Sequence, residues 1–536
     1  MKLFDKTRFL LLIIVIIGSF LRLYNLAGIP ISLNPDELAI GYNAYSILTT
    51  GADEWGNKLL LSLKSFGDWK QPLYPLLTIP LVATAGLNEF SVRFPAAVSG
   101  IVGIILVFGI TKLLFKKDAI ALLSALSFAL NPWSIFFSRG AFEPNLATTL
   151  LLGGIFFFLK YLGSKKGLYI LASTVFFGLS VFTYHPFTIL SPLFVFTAFI
   201  VFFKKFNKDK WLIASGMLFC LFMAIYVFSL SQGSFGKLSA VGIFNNEGII
   251  YDRVERLRGD YSSENPLIKP LLHNRYLGVS YQLAQSYLLS FSPSFLFDTS
   301  GQKLFYAMGS FGNLYLFDVI LLAVGTLAMF WKREKFLPVL ILWLLIAPIP
   351  SAITKEAPSV SRLIGIMPLF TIISGYGAFS LYEIFKQKSK IGLIAIGVLT
   401  LLFLTNFIFF LDSYFIHMNT QRARFFHYGY KEAVNIAMRY PKHKVVMVGP
   451  QNFAYIAFLF YEKYDPIKFR NGVQYYPPTE EGFYFVKSFG RYEFVEKIDR
   501  DKLQPKTLYI DKYRSGDKHV IYYPSLDPAF AYFVTN

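Results

Sequence analysis

The chain has 536 residues, of which 54% are hydrophobic and only 16% charged, and its mean hydropathy is +0.47. Because a soluble domain carries about 25% charged residues, this composition excludes an ordinary soluble protein. The formal net charge of +19 is typical of nucleic-acid-binding proteins, but Lys and Arg lie mostly in short turns between long apolar runs. They therefore indicate membrane orientation, and we expect no nucleic-acid partner.

About eleven apolar segments are long enough to cross a membrane as helices. The first follows the basic residues Lys2, Lys6 and Arg8, and because no small-residue cleavage site comes after it, we expect an uncleaved span. The sequence therefore predicts a polytopic α-helical membrane protein. The predicted spans cover approximately residues 9–27, 94–114, 119–137, 146–162, 168–184, 187–203, 211–230, 313–331, 336–353, 363–385 and 391–411.

Basic turns between the spans predict the orientation in the membrane. With a cytoplasmic N-terminus, the basic turns also fall in the cytoplasm, where Lys and Arg are preferred; they lie near residues 112–117, 160–166, 204–210, 332–335 and 386–390. The opposite side then holds a first outer loop (28–93), a long outer loop (231–312) and a C-terminal domain (412–536). We predict a multi-pass protein of the cytoplasmic membrane whose transmembrane domain covers residues 1–411.

The C-terminal domain has the pattern of a small α/β unit. Residues 444–449, 506–510 and 519–523 resemble strands, and residues 452–463 have a helical pattern between the first two. We therefore expect an extracytoplasmic α/β domain after the last span.

The first outer loop opens with Asn34-Pro35-Asp36-Glu37, which is typical of a helix start, and Gly51 is placed to end that helix near Thr49. The helix dipole favours an ionised Asp36 at this end, where the carboxylate is a candidate general base. The alternative is that both acids only complement the helix N-terminus, as Asp and Glu in the first turn of a helix often do. Because adjacent helical residues point about 100° apart, we do not expect Asp36 and Glu37 to share one role.

The same loop ends in Asp68-Trp69-Lys70-Gln71, followed by a short proline-containing apolar stretch (72–87) that we expect to be a helix at the membrane interface. Lys70 is a candidate phosphate ligand. By composition alone an interfacial anchor is the favoured alternative, because Trp, Lys and Tyr all concentrate at headgroup level.

Further ionisable residues recur at the predicted outer ends of separate spans, and charges near a membrane are costly unless they face a cavity or a partner. This pattern predicts a polar cavity that opens away from the cytoplasm. Arg139 and Glu143 are alternatively an interfacial ion pair, and a lone His185 is more often structural than a metal ligand. The chain has no P-loop or Rossmann glycine motif, so a transferase here needs a donor delivered by the membrane. The ionisable residues at the predicted outer ends of the spans are Arg139, Glu143, His185, Glu356 and Arg362.

Taken in order, these motifs resemble the bacterial dolichyl-phosphate-mannose protein mannosyltransferase-like proteins. This group is similar to glycosyltransferase family 39 and belongs, with the aminoarabinose transferases, to the GT-C superfamily of membrane glycosyltransferases. The residues that carry the resemblance are Asp36-Glu37, Lys70 with Pro72-Leu73-Tyr74, Arg93 to Gly100, Asn131-Pro132, Ser138-Arg139, Gly312 to Leu316, Pro348 to Thr354 with Arg362, and Tyr428 to Ala433. The chain departs from the family pattern at Gln71 and Ser359.

The resemblance implies a GT-C fold and an inverting transfer of a sugar from a polyprenyl-phosphate sugar to a protein, glycan or lipid acceptor. It implies that Asp36, with Glu37 second, is the general base, and that Lys70, Arg139 and Arg362 contact the lipid phosphate. Other site candidates are Asp68, Glu143, His185 and Glu356. A divalent metal is possible but not implied, because the first outer loop has no Asp-x-Asp motif.

Two alternatives stay open from the sequence. One is a transporter or flippase of lipid-linked saccharides, which is disfavoured by the few charged residues at mid-span. The other is a non-catalytic envelope scaffold that binds polyprenyl lipids. We also hypothesise that aromatic residues of the C-terminal domain help to select the acceptor; they are Phe453, Tyr455, Tyr475 and Tyr476.

Overall fold

The structure is a computed structural model that describes residues 2–202, 209–231, 254–259, 271–298, 311–386, 389–479 and 482–536. Most of the predicted long outer loop (231–312) and parts of the basic turns at 204–210 and 386–390 lie outside the described residues.

Helices make up the part of the chain predicted to lie in the membrane, and each predicted span coincides with at least one of them. The polytopic helical fold class is therefore confirmed. The helices are α1 (Lys2–Leu23), α2 (Pro35–Thr50), α3 (Leu73–Ala85), α4 (Glu89–Phe115), α5 (Asp118–Leu130), α6 (Pro132–Arg139), α7 (Glu143–Ser164), α8 (Gly167–Val181), α9 (Phe187–Phe202), α10 (Lys210–Ser229), α11 (Arg275–Leu289), α12 (Pro293–Phe297), α13 (Asp318–Trp331), α14 (Leu337–Ile346), α15 (Ile349–Ala352), α16 (Met367–Lys386) and α17 (Ser389–Leu411).

Fewer helices are long enough to cross a membrane than the eleven spans that the sequence predicts. Within the described residues, 5 helices are long and apolar enough to cross a membrane, or up to 6 if a bent pair counts as one span. Other apolar helices, among them α8, α9, α13 and α14, are shorter. The predicted count of eleven spans therefore stays a prediction.

The bent pair consists of α5 and α6, which meet at Asn131 and Pro132 at an angle of 53°. Pro132 fixes its own φ and has no N–H to continue the α5 hydrogen bonds, so it starts a new helix. The side chain of Asn131 accepts a hydrogen bond from the Ser134 N–H and caps that helix. The bend brings Arg139 and the turn that follows it towards the first outer loop.

The first outer loop folds as α2, a small hairpin and α3. Strands β1 (Leu63–Ser65) and β2 (Asp68–Lys70) pair antiparallel through a two-residue turn of Phe66 and Gly67. Both turn residues have positive φ, at 59° and 84°, as a type I′ turn requires. The helix predicted at residues 72–87 is confirmed as α3.

A mixed seven-stranded sheet forms the core of the C-terminal domain, so the predicted sheet-containing domain is confirmed. The strand order is β4-β5-β6-β3-β7-β9-β8, with β3 parallel to both β6 and β7. The elements after α17 are α18 (Met418–Arg422), α19 (Tyr428–Arg439), β3 (Lys444–Val448), α20 (Ala454–Tyr461), α21 (Pro466–Gly472), β4 (Gln474–Tyr475), β5 (Val486–Phe489), β6 (Tyr492–Val495), β7 (Thr507–Asp511), β8 (Val520–Tyr522) and β9 (Pro528–Val534).

The C-terminal domain packs directly on the first outer loop, with α20 against α2. Gly41 allows this close approach, because a Cβ atom there would lie 2.5 Å from the Phe460 ring. Three polar contacts reinforce the packing. The Tyr42 hydroxyl donates to the Tyr464 carbonyl at 3.0 Å, the Tyr455 hydroxyl to Glu54 at 2.6 Å, and Arg470 to the Asp53 carbonyl at 3.1 Å. The domain is therefore part of the surroundings of α2.

Candidate active site

The start of α2 is fixed by a reciprocal cap. The Asn34 side chain accepts from the Glu37 N–H at 3.0 Å, and Glu37 accepts from the Asn34 N–H at 3.1 Å. At the other end Gly51, with φ 68°, ends the helix. The helix predicted from Asn34 and Pro35 is thus confirmed. Its first turn holds Asp36 and Glu37 in a fixed orientation.

Asp36 and Glu37 point to different environments. Asp36 faces a cavity, and its carboxylate pairs with the ammonium group of Lys70. Glu37 has no exposed side-chain surface and pairs with Arg93. The structure therefore gives the two adjacent acids separate roles, as predicted, and does not bring Glu37 into the cavity. Its carboxylate holds the loop together instead of facing a substrate.

Lys70 ends strand β2, so the hairpin sets the direction of its side chain. The Lys70 side chain is 12% exposed, whereas that of Asp36 is 57% exposed. Burial acts to lower the pKa of Lys70, but the nearby carboxylates of Asp36 and Glu143 outweigh it and raise the pKa. Lys70 is therefore a permanent cation at neutral pH.

The cavity beside this ion pair has a volume of about 810 Å³. It brings together seven of the residues predicted from the sequence. They are Asp36, Asp68, Lys70, Glu143, His185, Glu356 and Arg362. Because these residues come from the first outer loop and from the ends of separate helices, the predicted convergence of ionisable groups is present in the structure.

Arg362 and His185 are held in place by neighbouring polar groups. Arg362 Nη1 donates to Thr354 Oγ1 at 2.7 Å, and Nη2 lies 3.6 Å from a Glu356 carboxylate oxygen. One nitrogen of His185 lies 3.2 Å from the Gln71 side-chain nitrogen, and the other lies 3.2 Å from the Trp69 carbonyl oxygen. Gln71 thus supports the His185 ring on the cavity wall.

Arg139 lies elsewhere. Its side chain is fully buried and donates to carbonyl oxygens near the end of α1, including those of Leu21 at 2.9 Å, Tyr24 at 2.8 Å and Ile29 at 3.0 Å. Its guanidinium also lies 4.8 Å from the centre of the Phe415 ring. The structure therefore does not bring Arg139 to the cavity, and its two Nη groups donate to backbone carbonyls in the last turn of α1 and in the segment that follows it.

A segment before α19 contributes cavity residues that the sequence analysis missed, namely Arg424, Phe425 and His427. Arg424 is solvent-exposed. Burial lowers the pKa of His427 to about 4, so its ring is neutral at neutral pH. The available signal was their position just before the family-like stretch that begins at Tyr428.

The aromatic residues proposed to select the acceptor have different surroundings. Phe453 lines the cavity, together with Phe66 and Phe483. The other three are engaged within the domain or at its contact with the first outer loop: Tyr455 donates to Glu54, Tyr475 stacks on Trp55 at 4.9 Å, and Tyr476 donates to the Phe494 carbonyl at 2.8 Å.

Among the residues that the structure describes, no group of three or more His, Cys, Asp or Glu side chains has an arrangement that could hold a metal ion. The cavity carboxylates are Asp36, Asp68, Glu143 and Glu356. Of these, Asp36 pairs with Lys70 and Glu356 pairs with Arg362.

Comparison with known proteins gives both a family match and a fold. Residues 70–229 match the family model described as dolichyl-phosphate-mannose-protein mannosyltransferase. This match confirms the family resemblance over the stretch that contains Lys70, Arg139, Glu143 and His185. No curated protein sequence matches the chain.

Among solved structures, the chain is similar to the archaeal oligosaccharyltransferase AglB from Archaeoglobus fulgidus in complex with an inhibitory peptide and a dolichol-phosphate. The TM-score is 0.53 at 12% identity, and the match covers 85% of this chain and 63% of that one. The apo form of the Archaeoglobus fulgidus oligosaccharyltransferase gives a TM-score of 0.52 at 12% identity, with 85% and 63% coverage. ArnT from Cupriavidus metallidurans bound to undecaprenyl phosphate gives 0.41 at 11% identity, with 70% and 62% coverage. The chain thus spans less than two thirds of the oligosaccharyltransferase, and the likeness to that enzyme shows a shared fold.

Proposed function

We propose that this chain is an inverting glycosyltransferase of the GT-C type, which moves a sugar from a polyprenyl-phosphate-linked donor to an acceptor. The observation that carries the proposal is the contact between Asp36 and Lys70 on the wall of a large cavity. In this proposal the pair supplies a general base and a phosphate ligand side by side. The family match over residues 70–229 and the oligosaccharyltransferase fold support the same chemistry.

Asp36 acts as the general base in this proposal. Its carboxylate takes the proton from the acceptor hydroxyl or amine, whose oxygen or nitrogen attacks the anomeric carbon. The bond from that carbon to the phosphate oxygen breaks, and the polyprenyl phosphate leaves with the electron pair. One displacement inverts the anomeric configuration. Because phosphate is already a good leaving group, the reaction needs charge neutralisation more than a strong acid.

Three cations on the cavity wall can neutralise that leaving group: Lys70, Arg362 and Arg424. Lys70 pairs with Asp36 in the free protein, and a bound phosphate takes over part of that contact and releases the carboxylate towards the acceptor. Arg362 offers a planar guanidinium, which suits phosphate oxygens. Asp68, Glu143, His185 and Glu356 are proposed to contact sugar hydroxyls or to orient these cations.

The proposal includes an orientation in the membrane. The N-terminus is cytoplasmic, and the cavity and the C-terminal domain lie on the opposite side of the cytoplasmic membrane. The transmembrane domain covers residues 1–411 and the C-terminal domain residues 412–536. The supporting observation is that the C-terminal domain packs on α2, the helix that carries Asp36, so both belong on one side.

The test is sugar release from a panel of radiolabelled polyprenyl-phosphate sugars by the purified protein in lipid discs. The Asp36→Asn variant removes the base and is expected to reduce turnover at least a hundredfold while it keeps saturable donor binding. The matched control is Glu432→Gln, an acid on α19 outside the cavity lining, which should behave as the parent does.

Three outcomes separate the hypotheses. Transfer by the parent and the control, but not by Asp36→Asn, supports the enzyme and identifies the sugar. Saturable binding without transfer of any donor favours a transporter or a scaffold. Full turnover by Asp36→Asn removes Asp36 as the base.

A further inference from the structure

A continuous row of side chains leads from the candidate base to the C-terminal domain. Lys70, which pairs with Asp36, has its Nζ atom 4.9 Å from the centre of the Phe66 ring. The Phe66 ring centre lies 4.3 Å from that of Phe453, and Phe453 lies 6.0 Å from Phe483. All three rings line the cavity. We call Phe66, Phe453 and Phe483 the aromatic wall.

The aromatic wall is held in a fixed shape by both parts of the protein. The Tyr484 N–H donates to the Phe66 carbonyl at 2.9 Å, which ties the hairpin turn to the C-terminal domain. Gly67 in that turn has φ 84°, and a Cβ atom there would lie 2.7 Å from the Gly482 carbonyl oxygen. The turn therefore has room for glycine only, and the wall exists before a ligand binds.

The exposure of the rings indicates which of them can contact a ligand. Phe66 is 4% exposed and supports the wall from behind. Phe453 and Phe483 are half-buried and present ring surface to a cavity whose other residues include Asp68 and Glu143. Apolar faces beside carboxylates match a ligand that is apolar on one face and polar at its edge.

A sugar ring has that character. Its C–H groups form an apolar face that is attracted to the negative face of an aromatic ring, and its hydroxyls are available at the edge. An extended peptide that binds by strand addition needs free backbone partners, and two N–H groups of the segment that carries Phe483 are already bonded. The Thr479 N–H donates to the Phe483 carbonyl at 2.9 Å, and the Tyr476 N–H to the Phe485 carbonyl at 2.9 Å.

The cavity is also large enough for two sugar-sized groups. Its volume of about 810 Å³ lies in the upper part of the range for small-molecule sites, roughly 300–1,000 Å³. The donor head group near Lys70 and one acceptor ring on the wall fit within it.

We infer that the aromatic wall is the acceptor subsite and that the acceptor is a carbohydrate, whose ring stacks on Phe453 and Phe483 with one hydroxyl directed at Asp36. The inference rests on the proposed glycosyl transfer, because it names the acceptor class for that reaction. The C-terminal domain then contributes directly to acceptor binding.

The test measures how the released sugar is divided between water and an added acceptor. The acceptor probes are fluorescent disaccharides of hexose and N-acetylhexosamine, compared with Ser- and Thr-containing peptides. For Phe483→Leu we expect the ratio of transfer to disaccharide over transfer to water to fall about tenfold, the value of one stacking contact. Phe483→Trp keeps a ring and should restore most of the ratio.

The matched control is Phe485→Leu. The Phe485 ring lies 5.3 Å from the Phe453 ring in a tilted arrangement and does not line the cavity, so the ratio of this variant should equal that of the parent. A parental ratio for Phe483→Leu, or transfer to peptides and to no disaccharide, would overturn the inference alone. If the parent releases sugar from no donor, even to water, the proposed function fails and the inference fails with it.

Discussion

Glu37 and Arg93 form an ion pair in which neither side chain has exposed surface, with Arg93 Nε donating to Glu37 Oε1 at 2.9 Å. The same carboxylate oxygen accepts the Ala141 N–H at 2.8 Å, and Arg93 also donates to the Pro30 carbonyl at 2.7 Å. The pair therefore joins the start of α2 to α4 and to the turn after α6. Since Asp36 precedes Glu37, these contacts fix the position of the candidate base.

Removing one member of this pair is expected to destabilise the protein. Glu37→Gln leaves the buried Arg93 charge uncompensated, which costs about 3–5 kcal/mol in the free energy of unfolding. The measurement is thermal unfolding in lipid discs. As a control, Glu89→Gln breaks the partly exposed pair with Lys431 and should cost about 1 kcal/mol or less. A Glu37→Gln variant with parental stability but no turnover would instead make Glu37 part of the catalytic chemistry.

Arg139 gives a second stability prediction. A lysine cannot reproduce its several hydrogen bonds to carbonyl oxygens, because an ammonium group lacks the planar fork of a guanidinium. We expect Arg139→Lys to lower the free energy of unfolding by about 2 kcal/mol or more, with the donor KM unchanged in the folded fraction. Chemical denaturation and donor titration measure the two effects. Parental stability with a raised donor KM would return Arg139 to the phosphate site.

The sequence predicted features whose causes are local. The start and end of α2 depend on Asn34, Pro35 and Gly51, which act within one or two turns of the helix. The predicted strands at 444–449 and 506–510 correspond to β3 and β7. They were recognisable as short apolar runs, which are typical of strands that are buried on both faces. The clustering of Glu143, His185 and Arg362 followed from their shared position at the outer ends of predicted spans.

Features that depend on distant partners were not predictable in this way. Arg139 and Arg362 look alike in sequence, and only the carbonyls of residues 21–29 distinguish the first as structural. Asp36 and Glu37 are adjacent acids, and only the buried ion pair with Arg93 distinguishes Glu37 as structural. Arg424 and His427 lie beyond the last predicted span, in the short turn between α18 and α19, where the sequence has no periodicity.

Glu54 predicts a pH dependence at the contact between the first outer loop and the C-terminal domain. Burial is the main cause that raises the pKa of Glu54 to about 7, and the nearby charge of Asp53 also raises it. The hydrogen bond from Tyr455 and the charge of Lys70 lower this pKa but do not outweigh burial. An unfolded chain loses this proton near pH 4.3. The folded state holds this proton more tightly than the unfolded chain does. Proton binding at Glu54 therefore contributes fully to the free energy of unfolding below about pH 4, and this contribution is lost as the pH rises through 7.

The full loss corresponds to about 4 kcal/mol between acidic and alkaline pH. Glu54→Gln keeps a neutral side chain beside Tyr455 and should flatten this part of the profile, so that the variant gains stability over the parent as the pH rises from 5 to 8. Unfolding temperatures at pH 5, 6, 7 and 8 test this, with Glu432→Gln as a control that keeps the parental slope. Parallel profiles for the parent and Glu54→Gln would show that Glu54 is ionised throughout.

Arg424 provides the sharpest test of the donor site, because no motif in the sequence singles it out. It is an exposed arginine on the cavity wall and contributes a third cation beside Lys70 and Arg362. A charge-assisted contact to a phosphate oxygen contributes about 1.5 kcal/mol, so Arg424→Ala should raise the donor KM roughly tenfold. Arg424→Lys keeps the charge without the fork and should recover part of that loss.

The control for this experiment is Arg439→Ala, which removes an exposed arginine at the end of α19, outside the cavity lining. It lowers the net charge by the same amount, so a general electrostatic effect on anionic donors would affect both variants equally. A donor KM that rises only in Arg424→Ala places the lipid phosphate near this residue. A rise in the acceptor KM instead would place Arg424 on the acceptor side of the cavity, and equal values for both variants would remove it from the site.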